Sequence, residues 1–306
     1  MTFRKKFSFL LSLMFVTYSS IVVADTKLIE NETITKINKS VSALTNKLSG
    51  NLSSFALQNF TNTKYFDLEI NAQEYLKPTI SVMSVNEILK LDQGTIFNQT
   101  SLNTHDGDET INIGIGIRKI TNDNSLIIGS NIFYDHQFSE DHKRIGGGVE
   151  LISSVIDLRS NFYSARSDLR ATDEGNFEKA LDGWDIRADY HLPIEPEVNI
   201  FVSAFKFKNP GELNTYEENG NKFGADAKLG NFFIEAGYLD DDQENDSYFG
   251  SIKYVVNFGA NGDKKGTPKN ALSLADVSDK LYQPVKRENK IRVVKISASG
   301  VVVGGF

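Results

Sequence analysis

Apolar and polar residues alternate along most of the chain between Tyr65 and Phe258. This period of two is typical of β-strands that have one apolar and one polar face. In the segment 184–192, the even positions are Trp, Ile, Ala, Tyr and Leu, and the odd positions are Asp, Arg, Asp and His. The alternation predicts twelve strands, which lie at 65–72, 78–87, 94–104, 109–120, 125–137, 141–152, 155–167, 181–193, 198–208, 219–229, 231–240 and 247–258.

The predicted polar faces carry charges of both signs together with glycine. In the segment 111–118, isoleucines share one face, and the other face is formed by Asn112, Gly114, Gly116 and Arg118. Such a mixture favours a narrow, wet lumen, where charges can pair and glycine lets other residues approach the wall. Trp184 fits an anchor at a membrane interface. A soluble β protein, whose polar face meets bulk water, is the alternative.

The connections between the predicted strands alternate in length. Every second connection is short, and these read EILKLDQ, TNDN, SS, IEPE and GN. The intervening ones are mostly longer and more acidic, up to the twenty residues that follow position 163. We therefore expect an all-β fold, a closed antiparallel twelve-stranded outer-membrane barrel over 61–258, with its short turns in the periplasm.

The N-terminus predicts export. Residues 1–24 combine a basic start, Arg4 to Lys6, with a short apolar core and small residues at Val22 and Ala24. This arrangement indicates a signal peptide cleaved after Ala24, whereas the alternative, a membrane anchor, needs an apolar run of about 20 residues. The expected location is the outer membrane of a Gram-negative-type bacterium. Residues 25–60 are interpreted as a periplasmic helical segment, with a polar spacer as the alternative.

Composition narrows the possible functions. The chain has 306 residues and a net charge of −7, and this negative charge argues against nucleic-acid binding. It has no cysteine, which excludes Cys-ligated metals and thiol nucleophiles. Only four histidines are present. We predict no catalytic, cofactor-binding or metal-binding residues. Arg144, Glu150, Asp185 and Arg187 are instead interpreted as a charge network in the lumen.

Residues 259–306 are predicted to form a linker or plug and a short tail. A helix is expected from Ser273, with Leu274, Val277 and Leu281 on one side, and it is expected to lie in the lumen. Threading of this segment would leave the last residues outside the cell, and the alternative is that the segment stays in the periplasm. Glycines 114, 116, 146 and 148 are expected to make room along the wall, and three linker cations are expected to pair with acidic lumen residues such as Asp185 and Asp226. Those cations are Lys286, Arg287 and Lys290.

Several motifs resemble the transmembrane domain of the intimin/invasin proteins, the inverse autotransporters of secretion type Ve. They are INIGIGIRK at 111–119, GSNIFYDHQF at 129–138, HKRIGGGVE at 142–150 and DGWDIRADYHLP at 182–193, with IFNQTSLNTHDG at 96–107 and LYQPVKRENKI at 281–291. The resemblance implies a twelve-stranded translocator inserted by the barrel-assembly machinery, with its linker helix in the lumen. It also implies a C-terminal adhesin passenger, which we expect this chain to lack or to receive from a separate gene.

Three functions follow from these observations. The first is a non-enzymatic anchor and translocator of the intimin/invasin type, with outer-membrane lipid and the barrel-assembly machinery as partners. The second is a small porin-like channel that residues 259–306 leave open. The third is an omptin-like protease, in which His136 would face Asp240, Asp241 and Asp242 across the barrel mouth.

Asp189 lies on the predicted lumen face of its strand. The substitution Asp189→Asn is therefore expected to have only a mild effect.

Overall fold

The computed structural model of the chain describes residues 62–73, 76–105, 107–172, 175–194, 196–211, 216–242, 246–258, 274–297 and 302–305. The predicted signal peptide (1–24) and periplasmic segment (25–60) lie outside these residues. In the part of the chain that is described, no helix is long and apolar enough to span a membrane.

Twelve antiparallel strands form a closed barrel, as the alternation predicts. They are β1 Thr63–Gln73, β2 Thr79–Leu91, β3 Gly94–His105, β4 Asp108–Ile120, β5 Leu126–Gln137, β6 His142–Ser153, β7 Ile156–Ala165, β10 Asp182–Leu192, β11 Val198–Lys208, β12 Glu217–Leu229, β13 Phe232–Asp241 and β14 Ser247–Asn257. Strand β1 closes the barrel, because it pairs with β2 on one side and with β14 on the other.

The connections define two ends of the barrel. The turn end carries the short connections 92–93, 121–125, 154–155, 193–197 and 230–231. The loop end carries 74–78, 106–107, 138–141, 166–181, 209–216 and 242–246. The predicted seven-residue turn EILKLDQ is wrong, because β2 continues to Leu91 through an irregularity after Glu87. Gly94 then begins β3 at a φ of +143°, where an added Cβ would lie 1.9 Å from the Arg118 carbonyl oxygen.

The two faces of the wall differ as the sequence predicts. Ile132 and Val149 are 59% and 58% exposed on the outside, where an outer-membrane barrel meets lipid. Their strand neighbours Asp135 and Arg144 point inward and are fully buried. The outward face of the wall is therefore hydrophobic, and the interior holds charged residues together with clusters of aromatic side chains.

The C-terminal residues add three short elements. The predicted helix from Ser273 is wrong, because the described residues contain only one 3-10 helix, Ser278–Tyr282, followed by extended chain. The extended chain ends in β15 Val293–Ile296, which pairs with β9 Phe177–Ala180 of the longest loop-end connection. Strands β8 Arg170–Ala171 and β16 Val302–Gly305 complete a four-stranded sheet in the order β16-β15-β9-β8.

The assignment of the outer face predicts the effect of Ile186→Arg. Ile186 is 49% exposed in the middle of β10, so arginine would place a charge against hydrocarbon. We expect the free energy of unfolding in lipid to fall by about 2–4 kcal/mol. Urea titration of the reconstituted barrel measures this change. Leu169→Arg is the control, because Leu169 is exposed outside the barrel strands, and an equal loss in both variants would reject the assignment.

Candidate functional site

The candidate site is the lumen together with the chain segment that runs through it, residues 274–297, which we call the linker. At the turn end, the backbone nitrogen of Val277 donates to the carbonyl oxygen of Asn124 at 2.9 Å. At the loop end, Ile296 pairs with Phe177. The linker therefore crosses the barrel from one end to the other, as the sequence predicts.

Two buried arginines of the wall bind the linker backbone. Arg118 on β4 donates to the carbonyl oxygens of Leu281 and Gln283, at 2.8 Å and 2.6 Å. Its Nε donates to Glu150 at 2.7 Å, and its guanidinium lies 4.6 Å from the centre of the Phe97 ring. A charged donor held in this way makes strong, well-directed hydrogen bonds to carbonyls. The carboxylate on the wall thus positions the arginine, and the arginine holds the linker.

The same arrangement recurs nearer the loop end. Arg144 on β6 donates to the carbonyl oxygens of Glu288 and Lys290, at 2.6 Å and 3.0 Å. Its Nε donates to Asp135 at 2.8 Å, and the Tyr163 ring lies 4.4 Å from its guanidinium. Two arginine–carboxylate pairs therefore hold the linker at two heights of the barrel.

Neutral side chains of the wall bind further backbone groups of the linker near these arginines. Gln99 accepts from the nitrogen of Val285 at 2.7 Å and donates to its carbonyl oxygen at 3.3 Å. Three further contacts are Asn161 to the Lys286 oxygen at 3.0 Å, the Glu288 nitrogen to the Tyr163 hydroxyl at 2.8 Å, and Asn112 to the Asn289 oxygen at 2.9 Å. Because extended chain cannot satisfy its own backbone groups, these side chains replace the water that the linker loses in the lumen.

The linker cations contact acidic wall residues, in part as predicted. Lys286 lies 2.9 Å from Asp189 and 3.6 Å from Asp226, so the pairing with Asp226 is confirmed. Arg287 instead makes two hydrogen bonds to Asp135, at 2.8 Å and 2.7 Å. Asp185, expected as a partner, accepts from Asn161 and Tyr163 of the wall.

The predicted lumenal charge network is present, but its four predicted members pair with residues outside that set of four. Arg144 pairs with Asp135 and Arg118 with Glu150, both at buried positions. Arg187 pairs with Asp189 at 2.8 Å and with Glu235 at 2.9 Å. Several wall carboxylates contact two or more cations, and these are Asp135, Glu150, Asp157, Asp189 and Asp226. Opposite charges in the lumen therefore compensate each other, as buried charges require.

The structure changes our expectation for Asp189→Asn. The Asp189 carboxylate is fully buried and accepts from Arg159 at 2.8 Å, Arg187 at 2.9 Å and Lys286 at 2.9 Å. Removing its charge would leave the buried Arg159 and the partly buried Arg187 and Lys286 with less compensation, which is costly. We now expect a clear loss of stability from this substitution, because a lumen-facing position is not the same as a solvated one.

The lumen glycines make room in two different ways. A Cβ at Gly146 would lie 2.9 Å from Nη2 of Arg287, so this glycine admits the linker as predicted. Cβ atoms at Gly114 and Gly116 would meet the rings of Phe133 and Phe97 at 2.3 Å. These two glycines therefore accommodate wall aromatics rather than the linker itself.

His136 does not face the acidic residues that a protease would need. It lies on the outer face of β5 beside Phe138, with ring centres 4.8 Å apart, and its Nε2 is 2.9 Å from Asp141. Strand β13, which carries Asp240, lies opposite β5 in the wall of twelve strands, but the His136 side chain is on the outer face and points away from the barrel mouth. Hydrogen bonds from Lys143 and His136 hold the pKa of Asp141, on the loop beside them, below its ordinary value. This geometry does not support the proteolytic alternative.

Among the described residues, no group of three or more His, Asp or Glu side chains is placed to hold a metal ion. That the chain uses no metal or cofactor stays a prediction from the sequence.

Comparisons with known proteins agree with this architecture. The family model described as "Inverse autotransporter, beta-domain" matches residues 18–289. The putative attaching and effacing protein homolog of Escherichia coli (strain K12) is 31% identical over 137 residues, which cover 44% of this chain and 43% of that protein. The inverse autotransporter adhesin YeeJ of the same strain is 34% identical over 216 residues, which cover 64% of this chain and 9% of YeeJ. The matched parts thus span less than half the length of either relative.

Solved structures of outer-membrane barrels share the fold. The structure described as "Unveiling the Mechanism Behind the in-meso Crystallization of Membrane Proteins" has a TM-score of 0.64 at 20% sequence identity. The superposition covers 76% of this chain and 99% of that one. Together with the family match over most of the sequence, the closed barrel and its occupied lumen show that the chain belongs to the inverse autotransporter β-domain family of outer-membrane barrels.

Proposed function

We propose that this barrel is a non-enzymatic translocator and anchor, which brings its own C-terminal residues to the cell surface and holds them there. The observation that carries the proposal is the way the wall binds the linker. Arg118, Gln99 and Arg144 contact backbone atoms of the linker rather than its side chains. A wall that binds backbone suits the passage of extended chain of varied sequence.

The linker makes two kinds of contact with the wall, and we assign one kind to passage of the chain and the other to its anchoring. Backbone contacts are available to any residue that occupies the lumen, so they stabilise each stage of passage similarly. The pair of Arg287 with Asp135 forms only when this stretch of the linker is in place. The pairing of β15 with β9 adds a second contact that is specific to the final position. We infer that these specific contacts stop the chain once its tail is outside.

The partners follow from the two faces of the barrel. Outer-membrane lipid would cover the exposed apolar residues, and the barrel-assembly machinery would insert the strands. The signal peptide would be removed after Ala24 before insertion. A passenger would be attached beyond the linker, either on this chain or after supply from a separate gene. No nucleic acid is expected as a partner.

An epitope tag tests the proposed direction of transport. A tag that follows Phe306 should be detected by antibody on intact cells. In the matched control the chain is cut after Phe258 and the same tag is added there, at the turn end of β14, where it should be detected only after the outer membrane is permeabilised. Surface detection of both tags, or of neither, would contradict the proposal.

A further inference from the structure

The linker does not fill the lumen. Its backbone contacts side chains of β3, β4, β6 and β7. A cavity of about 360 Å³ lies mainly on its other side, lined by β1, β2 and β10 to β14 and by the loop end of β3. Lys77 and Thr79 at the loop end belong to the cavity lining. Small molecules would therefore enter the cavity from the loop end.

One cation of the cavity lacks an acidic partner. Lys222 on β12 lines the cavity, and among the described residues it forms no ion pair and no hydrogen bond through its side chain. Its ammonium nitrogen lies 5.6 Å from the ring centre of Phe205 and 5.6 Å from that of Phe249. Both rings also belong to the cavity lining. Lys222 thus presents to the cavity an ammonium group that has no direct acidic contact and lies beside two aromatic rings, while Glu235 and Glu288 act on it only at longer range.

The neighbouring carboxylates are already bound to other cations. Glu235 is 2.9 Å from Arg187, and Glu288 is 3.1 Å from Arg292. The cavity carboxylate Glu69 is 3.4 Å from Lys253, and Asp185, which also lines the cavity, accepts from Asn161 and Tyr163. Since these acids are bound by other groups, none of them contacts Lys222 directly. An anion from outside would supply the charge that the wall does not.

We propose that the cavity binds a small aryl carboxylate, whose carboxylate contacts the Lys222 ammonium while its flat body lies against Phe205 and Phe249. Charge-assisted contacts to an ammonium are stronger than neutral ones, and the aromatic wall favours an apolar body over a hydrated ion. The volume is within the range of small-molecule pockets. This activity is separate from the proposed translocation, because it needs only the finished barrel with its linker in place.

Binding to the full-length folded barrel in detergent tests the proposal, with benzoate as the probe and benzamide as its neutral isostere. We expect saturable benzoate binding by titration calorimetry or ligand-observed NMR, and at least about tenfold weaker binding of benzamide. Lys222→Gln should weaken benzoate binding by a similar factor. Lys228→Gln is the matched control, because Lys228 lies on the same strand and outside the cavity lining.

A variant that fails to fold would be recognised by loss of the heat-dependent shift in electrophoretic mobility. In that case Lys222→Arg is used in place of Lys222→Gln and is compared with Lys228→Gln. Because arginine keeps the charge, the Lys222→Arg protein should still bind benzoate in preference to benzamide. Equal binding of benzoate and benzamide, unchanged binding after Lys222→Gln, or binding of inorganic phosphate in preference to benzoate would each overturn the proposal.

Discussion

Asp135→Ala is expected to lower the free energy of unfolding by about 3–5 kcal/mol, the usual cost of removing one partner from a buried ion pair. Asp135 is fully buried and accepts from Arg144 at 2.8 Å and from Arg287 at 2.7 Å. It therefore compensates one cation of the wall and one of the linker. Its loss would leave both guanidiniums buried with too little negative charge.

Urea titration of the barrel in detergent measures this loss. Asp141→Ala is the matched control, since Asp141 lies on the loop and its ion pairs with Lys143 and Arg170 are partly exposed. Such pairs contribute about 0–1 kcal/mol. The double variant Asp135→Ala/Arg287→Ala should recover part of the loss, because one uncompensated cation is removed. Equal losses for Asp135→Ala and Asp141→Ala would show that Asp135 has no such role.

Removal of the linker should open the pore, which is the second large effect. A chain cut after Phe258 keeps all twelve barrel strands and lacks residues 274–297. Charges that line the emptied lumen, such as Arg118 and Glu150, would then be hydrated. In planar bilayers we expect a stable open-pore conductance from this variant and a nearly silent full-length protein.

A chain that ends at Ser297 is the matched control for the truncation. It retains the described linker and its contacts with the wall, including the bonds from Arg118 and Arg144, so it should stay nearly silent. The porin-like alternative predicts similar conductance for all three proteins. A similar conductance would therefore contradict the plugging role of the linker.

The barrel could be predicted from the sequence because its strands obey a local rule. Alternation in each strand determines which side chains face lipid, such as Ile186, and which face the lumen, such as Asp189. The alternating lengths of the connections indicate which end of the barrel carries the short turns. The pairing of β15 with β9 could not be predicted, since it joins two four-residue segments that are more than a hundred positions apart. Short segments of this kind carry no periodic signal of their own.

The linker shows why a helical pattern can mislead. Leu274, Val277 and Leu281 have the spacing of a helix face, yet Leu274 is 59% exposed and only Val277 is fully buried. The carbonyl oxygen of Leu281 accepts from Arg118, and the nitrogen of Val285 donates to Gln99. These are the two groups that a helix would join to each other. The wall therefore replaces the helical hydrogen bonds, and contacts across the lumen leave no trace in local sequence.

The most direct test of threading uses a cysteine introduced by Ser299→Cys, since the chain has no other cysteine. Asn231→Cys in the β12–β13 turn and Gly211→Cys in the β11–β12 loop mark the two ends of the barrel. On intact cells, a membrane-impermeant maleimide should label Ser299→Cys and Gly211→Cys, and it should label Asn231→Cys only after permeabilisation. Labelling of Ser299→Cys only after permeabilisation, together with Asn231→Cys, would place the tail in the periplasm and contradict the account.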